Sequence, residues 1–126
     1  MATSKHETHD IVIKRVYEPV DSGDGFRVLV DRLWPRGMKK EAVHLDLWAK
    51  DVAPSTDLRN WFNHEESIFR EFRQKYLAEL AGKKDAVREL LTSTESQRIT
   101  LLYAASNINV NHAIVLRDFL LGQGNR

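Results

Sequence analysis

Residues 27–37 read RVLVDRLWPRG, and this stretch decides how the rest of the chain is arranged. Its apolar part, residues 28–30, is rich in β-branched side chains and predicts a short buried strand. The strand leads directly into two arginines, an aspartate and a tryptophan. Pro35 disfavours a helical conformation for Trp34, and Gly37 permits a turn that other residues resist. We therefore predict an ordered, extended loop after a buried strand, and we place the candidate site there.

The composition is that of an ordinary globular domain. The chain has 126 residues, 42% hydrophobic and 29% charged, which is enough for one core. Its 19 basic and 18 acidic side chains leave a net charge of +1, which argues against a protein that coats nucleic acid. The absence of cysteine excludes disulfides, thiolate nucleophiles and zinc–thiolate sites. No apolar run fits a membrane span and the polar start is unlike a signal peptide, so we expect a cytoplasmic protein.

Alternating strand-like and helix-like segments predict an α/β fold, a single three-layer domain with a small, mostly parallel sheet flanked by helices. We expect this domain over residues 10–122, after a disordered tail at residues 1–9. The expected strands span residues 11–16, 28–30 and 99–104, and the expected helices span about 55–62, 63–82, 84–94 and 111–121. The loop at 18–25 is short for a parallel crossover. Antiparallel pairing of the first two strands and a helix trimmed to one turn are both open.

The helix boundaries rest on capping residues. Ser55 is a good N-cap for the short helix, and Asn63 with Glu66 gives the capping-box pattern for the long one. The final helix can be capped by Asn109 or Asn111. The aromatic residues that recur at helical spacing in the long helix are interpreted as core.

Polar residues follow each predicted strand, at the edge of a parallel sheet where ligands bind. Arg32 and Arg36 offer planar donors suited to phosphate or carboxylate, and the start of the last helix favours an anion. We therefore expect an anion-binding crevice. Its candidate ligand-binding residues are Arg15, Tyr17, Arg32, Trp34, Arg36, Lys50, Arg59, His64 and Asn111. The alternative is that Arg32 and Arg36 pair with nearby aspartates, namely Asp31, Asp46 or Asp51, and only fix the loop.

Catalysis is a separate hypothesis. Asp31 at a strand end and His112 in a first helical turn are the candidate acid–base residues. The sequence has no nucleophile elbow, P-loop or dinucleotide fingerprint, and Ser55 is better interpreted as a cap than as a nucleophile. His6 and His9 have no further ligands nearby, so we expect no metal or cofactor. The sequence leaves open whether the chain is an enzyme.

Several motifs, in their order along the chain, resemble the YeaO-like branch of the domain of unknown function 488 family. They are IKRVYEP, RVLVDRLWPRG, LWAKDVAPSTDLRNWFNH, EFRQKYLAEL, TLLYAAS and NHAIVL, and together they extend over about residues 11–121. The resemblance implies a small cytoplasmic protein of bacteria or archaea, in a family with no established function. By position it emphasises Arg15, Tyr17, Arg27, Asp31, Arg32, Trp34, Pro35, Arg36, Gly37, Trp48, Lys50, Pro54, Ser55, Arg59, Phe62, His64, Tyr103, Asn111 and His112.

The chain departs from the family pattern in one place. Members of the family usually carry a lysine and an aspartate where this chain has Ser106 and Asn107. If either lost residue were catalytic, the activity of this protein would be impaired. Otherwise the loss points to a missing structural ion pair or to altered specificity.

Two functions from different classes are therefore considered. In the first, the domain binds a small phosphorylated or carboxylated molecule, as an enzyme or without chemistry, and Arg32, Arg36 and Arg59 hold the anion. In the second, a non-catalytic module binds protein or nucleic acid through the loop at residues 34–36. Tryptophans interleaved with basic residues can stack bases, but the near-zero net charge makes nucleic acid the less favoured partner. The sequence does not predict an oligomeric state.

Overall fold

The computed structural model describes residues 9–124, and within that range four parallel strands form one sheet. The strands are β1 (Asp10–Arg15), β2 (Phe26–Leu29), β3 (Leu47–Trp48) and β4 (Arg98–Tyr103), in the spatial order β1-β4-β2-β3. The helices are α1 (Lys40–Val43), α2 (Thr56–Phe62), α3 (Phe69–Ala81), α4 (Lys84–Thr92) and α5 (His112–Gly124). The predicted α/β domain with a parallel sheet is confirmed.

The strand β4 lies at the centre of the sheet, which explains its continuous apolar sequence. Ile99 is paired with Ile11 of β1 on one side, and Leu101 is paired with Val28 of β2 on the other. Since β1 and β2 are both parallel to β4, the connection at residues 16–25 has to cross β4. It does so with one 3-10 turn, Ser22–Asp24. The trimmed helix was therefore the correct alternative, and antiparallel pairing was wrong.

The two faces of the sheet carry different layers. Strand residues such as Val28 and Leu101 pack against the four longer helices and form the main core. Their neighbours Leu29 and Leu102 point to the opposite face, where Val43 of α1 joins them. The helices are therefore distributed unequally, since only the four-residue α1 belongs to this second layer. Trp34 and Met38, from the loop after β2, pack against the same face.

A buried ion cluster lies at the end of the connection between β1 and β2. Asp24 is 8% exposed and accepts hydrogen bonds from Lys14 (3.0 Å) and from Arg27. Thr100 donates to the Asp24 carbonyl at 2.6 Å, and Arg27 donates to two carbonyl oxygens at the end of α1. Burial acts to raise the pKa of Asp24, but hydrogen bonds from Lys14, the Asp21 backbone and Arg27 outweigh it and hold the pKa below its usual 3.8. This cluster joins β1, β2, β4 and α1.

The predicted helices and strands need corrections at several points. Ser55 caps α2 as expected, but Asn63 does not begin the long helix: it ends α2 in the left-handed conformation, with φ of 43°. Asparagine tolerates that conformation better than most residues, so it suits a helix end as well as a start. The long helix begins at Phe69 instead. The strand β3 was not predicted because two residues show no periodicity, and α5 continues past Gly122 to Gly124.

His9 lies at the start of the described chain and is 8% exposed. Its ring nitrogens lie 2.8 Å from the Ser96 carbonyl oxygen and 2.9 Å from that of Leu91, although the sequence analysis placed His9 in the tail. The rest of that tail, including His6, lies outside the described residues. Between residues 9 and 124 no helix is long and apolar enough to cross a membrane.

Candidate functional site

The carboxyl ends of β1, β4 and β2 open into a pocket of about 260 Å³. It is lined by residues that follow these strands, by the end of α2 and by the start of α5. Nine of the eleven predicted site residues line it, namely Tyr17, Asp31, Arg32, Trp34, Arg36, Arg59, His64, Asn111 and His112. Parallel strands bring their carboxyl ends to one edge, and for this reason residues far apart in the sequence meet here.

The other two predicted residues, Arg15 and Lys50, are not among the pocket-lining residues. Arg15 donates to two backbone carbonyls after β4, at 2.9 and 3.2 Å, and its guanidinium lies 4.9 Å from the centre of the Tyr17 ring. It therefore supports the wall of the pocket from behind. The amino group of Lys50 lies 4.3 Å from the centre of the Trp48 ring, where it covers that indole.

Three arginines line the pocket, and none of them forms an ion pair with another described residue. Arg32 donates through Nε to the Pro54 carbonyl (3.0 Å) and through Nη2 to the Ala53 carbonyl (3.2 Å). These acceptors are neutral, so they fix the guanidinium without cancelling its charge. Arg36 and Arg59 are exposed. The structure thus does not contain the aspartate pairs that the sequence analysis considered for Arg32 and Arg36.

Asp31 and His112 meet in the pocket wall. The Nε2 atom of His112 lies 2.9 Å from Asp31 Oδ1 and 3.1 Å from the Val30 carbonyl oxygen. The alignment fits a hydrogen bond to Val30, and Asp31 Oδ1 is buried without a well-aligned hydrogen bond from the described residues. Asp31 Oδ2 accepts from the Ala104 amide at 3.0 Å. Asp31 therefore joins the end of β2 to the end of β4 and lies against the histidine.

Asn111 acts on the local backbone. It is 2% exposed, its Oδ1 accepts from the Ile114 amide at 3.1 Å, and its Nδ2 donates to the Asn107 carbonyl at 2.9 Å. The expected asparagine cap of the last helix is therefore confirmed at Asn111. Asn107, where the resemblance implied an aspartate, accepts from the Asn109 and Val110 amides. This residue builds the loop that leads to the cap.

Aromatic side chains from both layers line the pocket. Phe62 and Phe72 are buried and stacked, with ring centres 4.2 Å apart. His64 follows Asn63, and both are left-handed, with φ of 58° and 43°. Such strained positions concentrate at functional sites. Sequence reasoning assigned Phe72 only to the core, since a helical stripe does not show where its face meets a pocket.

The side chain of Trp34 is fixed by contacts with the protein and is not free on the surface. Its Nε1 donates to the Met38 carbonyl at 2.7 Å, and its ring contacts Trp48 edge-on with centres 5.3 Å apart. The indole is half-buried. This position favours a wall of the pocket over a free platform for nucleic-acid bases.

Ser55 is occupied by structural contacts. Its hydroxyl donates to Glu79 at 2.6 Å and accepts from the Leu58 amide at 3.1 Å. These contacts support the interpretation of Ser55 as a helix cap. In the described range, no three histidine, aspartate or glutamate side chains are grouped as metal ligands.

Comparisons with known proteins identify the family. Residues 10–126 match the family described as the inactive DUF488-N3 subclade. The uncharacterised protein YeaO of Escherichia coli is 49% identical over 111 residues, which cover 88% of this chain and 96% of YeaO. The uncharacterised proteins Rv3073c of Mycobacterium tuberculosis and Mb3100c of Mycobacterium bovis are each 41% identical over 111 residues, 88% of this chain and 93% of theirs. No solved structure matches the chain. The resemblance seen in the sequence is thus confirmed, and the chain belongs to the domain of unknown function 488 family, in the subclade described as inactive.

Proposed function

We propose that this protein binds a small phosphorylated or carboxylated molecule in the pocket and does not transform it. The observation that carries the proposal is the placement of Arg36 and Arg59, two exposed guanidinium groups on a pocket, without a carboxylate partner among the described residues. Guanidinium groups match the planar oxygens of carboxylates and phosphates.

The charge balance of the pocket supports an anionic ligand. Three arginines face one carboxylate, that of Asp31, although the chain as a whole carries a net charge of only +1. The positive charge of Arg32 is not neutralised by its hydrogen bonds, because its protein acceptors are backbone carbonyls. The amino end of the 13-residue α5 opens at the same place, and its dipole favours negative charge.

Binding without chemistry is supported by the composition of the pocket. Among the described lining residues there is no serine, threonine, cysteine or lysine, so a nucleophile would have to be a carboxylate, an imidazole or a phenol. Asp31 Oδ1 is buried and lies against His112, where a ligand does not reach it directly. The family description as inactive agrees with this interpretation.

The proposal is tested by thermal melting and calorimetric titration with phosphate, sulfate, acetate and sugar phosphates. A ligand at one hundred times its dissociation constant stabilises the folded state by about 2.7 kcal/mol, which gives a visible shift in melting temperature. We expect Arg36→Gln and Arg59→Gln each to weaken binding roughly tenfold or more, since each removes a charge-assisted hydrogen bond.

The matched control is Arg70→Gln, which removes an exposed arginine of α3 outside the pocket. Affinity in this variant should equal that of the wild type. The proposal fails if no phosphorylated or carboxylated ligand binds, with or without an aromatic ring, or if Arg70→Gln weakens binding as much as the pocket variants do.

A further inference from the structure

We infer that the ligand of this pocket is aromatic: a flat ring that carries one phosphate or carboxylate group. The inference rests on the proposed anion site and adds the part of the ligand that the arginines do not bind. It comes from the kind of side chains that face the arginines.

The walls of the pocket are aromatic on two sides. Tyr17 and Trp34 belong to the loops that follow β1 and β2, whereas Phe62, His64 and Phe72 come from the helical layer. Aromatic rings recognise other flat rings by stacking and edge contacts, which a ligand made only of hydroxyl and phosphate groups cannot use. A pocket for a bare anion needs no such walls.

Two of these rings, those of Tyr17 and Trp34, are fixed before a ligand arrives. Trp34 donates to the Met38 carbonyl, and the Tyr17 hydroxyl donates to the Arg36 carbonyl at 2.9 Å while Arg15 lies over its ring. Because these two rings are already ordered, stacking on them costs little side-chain entropy. The bond from Tyr17 to Arg36 also joins a wall of the pocket to a residue that binds the anion. The aromatic ring and the anionic group of the ligand therefore contact two residues, Tyr17 and Arg36, that are hydrogen-bonded to each other.

The size of the pocket limits the ligand. Its volume of about 260 Å³ lies just below the usual range of about 300–1,000 Å³ for small-molecule sites. It suits a single ring system with one anionic group and is too small for a dinucleotide. A nucleoside 5′-monophosphate and an aromatic carboxylate share this chemistry, so the experiment includes both.

The test compares ligands with and without a ring by calorimetry. Adenosine 5′-monophosphate is compared with ribose 5-phosphate, and 4-hydroxybenzoate with acetate. We expect at least one ring-bearing ligand to bind roughly tenfold more tightly than its ring-less counterpart, as stacking on aromatic side chains predicts. The pair that shows the difference identifies the source of the ligand.

Tyr17 provides the matched variants because the residue is 41% exposed and its replacement spares the core. Tyr17→Leu removes the ring and the hydroxyl, and Tyr17→Phe removes the hydroxyl alone. We expect Tyr17→Leu to weaken the ring-bearing ligand several-fold and Tyr17→Phe to keep most of its affinity.

The outcomes separate the two proposals. If ring-less anions bind as tightly as their ring-bearing counterparts, or if Tyr17→Leu binds the ring-bearing ligand as the wild type does, the inference is overturned and the anion site stands. If no anion of either kind binds, both proposals fall.

Discussion

His112 Nε2 lies 2.9 Å from Asp31 Oδ1 and 3.1 Å from the Val30 carbonyl oxygen, so one imidazole nitrogen faces two acceptors. A carboxylate and a carbonyl have no hydrogen to give, so the hydrogen must be on Nε2. The other nitrogen, Nδ1, has no hydrogen-bond partner in the described part of the chain. The first residue of α5 is in this way tied to the end of β2.

The first prediction concerns this contact. Nitrogen NMR of the labelled protein should show a hydrogen on Nε2 of His112. His112→Phe keeps a ring of similar shape but removes the hydrogen-bond donor of the Val30 carbonyl and the N–H group that lies against the buried Asp31 Oδ1. We expect it to reduce the free energy of unfolding by about 1–3 kcal/mol. Urea unfolding measures this loss. The control is His64→Asn, an exposed and hydrogen-bond-free position in the described range, which should change stability by less than about 0.5 kcal/mol. Equal losses in both variants would contradict the assignment.

The lowered pKa of Asp24 predicts how the free energy of unfolding changes at acidic pH. Its pKa is below 3.8 in the folded protein, because hydrogen bonds from Lys14, the Asp21 backbone and Arg27 outweigh the effect of burial. The unfolded state therefore takes up a proton first as pH falls, and the stabilisation present at neutral pH is lost below about pH 4. Asp24→Asn should cost about 3–5 kcal/mol at neutral pH, because it leaves the buried Arg27 without its charge partner. Its stability should also fall less steeply below pH 4.

The control for this cluster is Asp10→Asn. Asp10 pairs with Arg98 at 2.7 Å, but both side chains are about half exposed. Solvent screens such a pair, so its loss should cost at most about 1 kcal/mol. Urea unfolding of both variants over the acidic range measures the difference. A loss in Asp10→Asn as large as in Asp24→Asn would show that burial is not what makes the cluster strong.

The candidate site was predictable where the chemistry is local. Asp31, Arg32 and Arg36 come shortly after a buried strand. In a parallel sheet the residues that follow a strand lie at the edge where ligands bind, so their place in the pocket could be predicted. What the sequence could not show depends on contacts between distant segments. The aromatic stripe of α3 indicated a buried face, but only the packing of α2 against α3 brings Phe72 to the pocket. The sequence around Arg27 likewise did not show that its side chain is buried and donates a hydrogen bond to the end of α1.

The same limit applies to the fold. The central position of β4 follows from its continuous apolar run, whereas the order of the other strands does not, since β1 and β2 are joined by a short loop yet lie on opposite sides of β4. Asn63 fits two local roles, and the choice between them depends on where α3 packs.

Two glycines give a matched pair of predictions. Gly25 and Gly37 both have positive φ, 68° and 78°. A Cβ at Gly37 would meet no atom within 4 Å, whereas a Cβ at Gly25 would collide with the Arg98 backbone carbonyl. Gly37→Ala should therefore cost only the left-handed penalty of about 1–2 kcal/mol. Gly25→Ala adds a clash with rigid backbone and should cost about 3–5 kcal/mol. Equal losses in urea unfolding would mean that the turn at Gly25 can move.

The raised pKa of Tyr76 predicts how the free energy of unfolding changes at alkaline pH. Its side chain is fully buried and its hydroxyl donates to the Val52 carbonyl. Burial, with the negative charges of Glu79 and Asp31, raises its pKa well above the usual 10.0, although Arg32 acts in the opposite direction. Above about pH 10 the unfolded chain releases this proton while the folded protein keeps it, so stability falls as pH rises.

Tyr76→Phe separates this ionisation from packing. The variant keeps the ring and loses one hydrogen bond, so it should be less stable than the wild type by about 0.5–1.5 kcal/mol at neutral pH. Because phenylalanine has no proton to release, its stability should fall less steeply above pH 10, and the two curves should converge. Urea unfolding between about pH 8 and pH 11 measures both slopes. Parallel curves would mean that the Tyr76 hydroxyl ionises alike in the folded and unfolded states, and that water reaches the interface between α3 and residue 52.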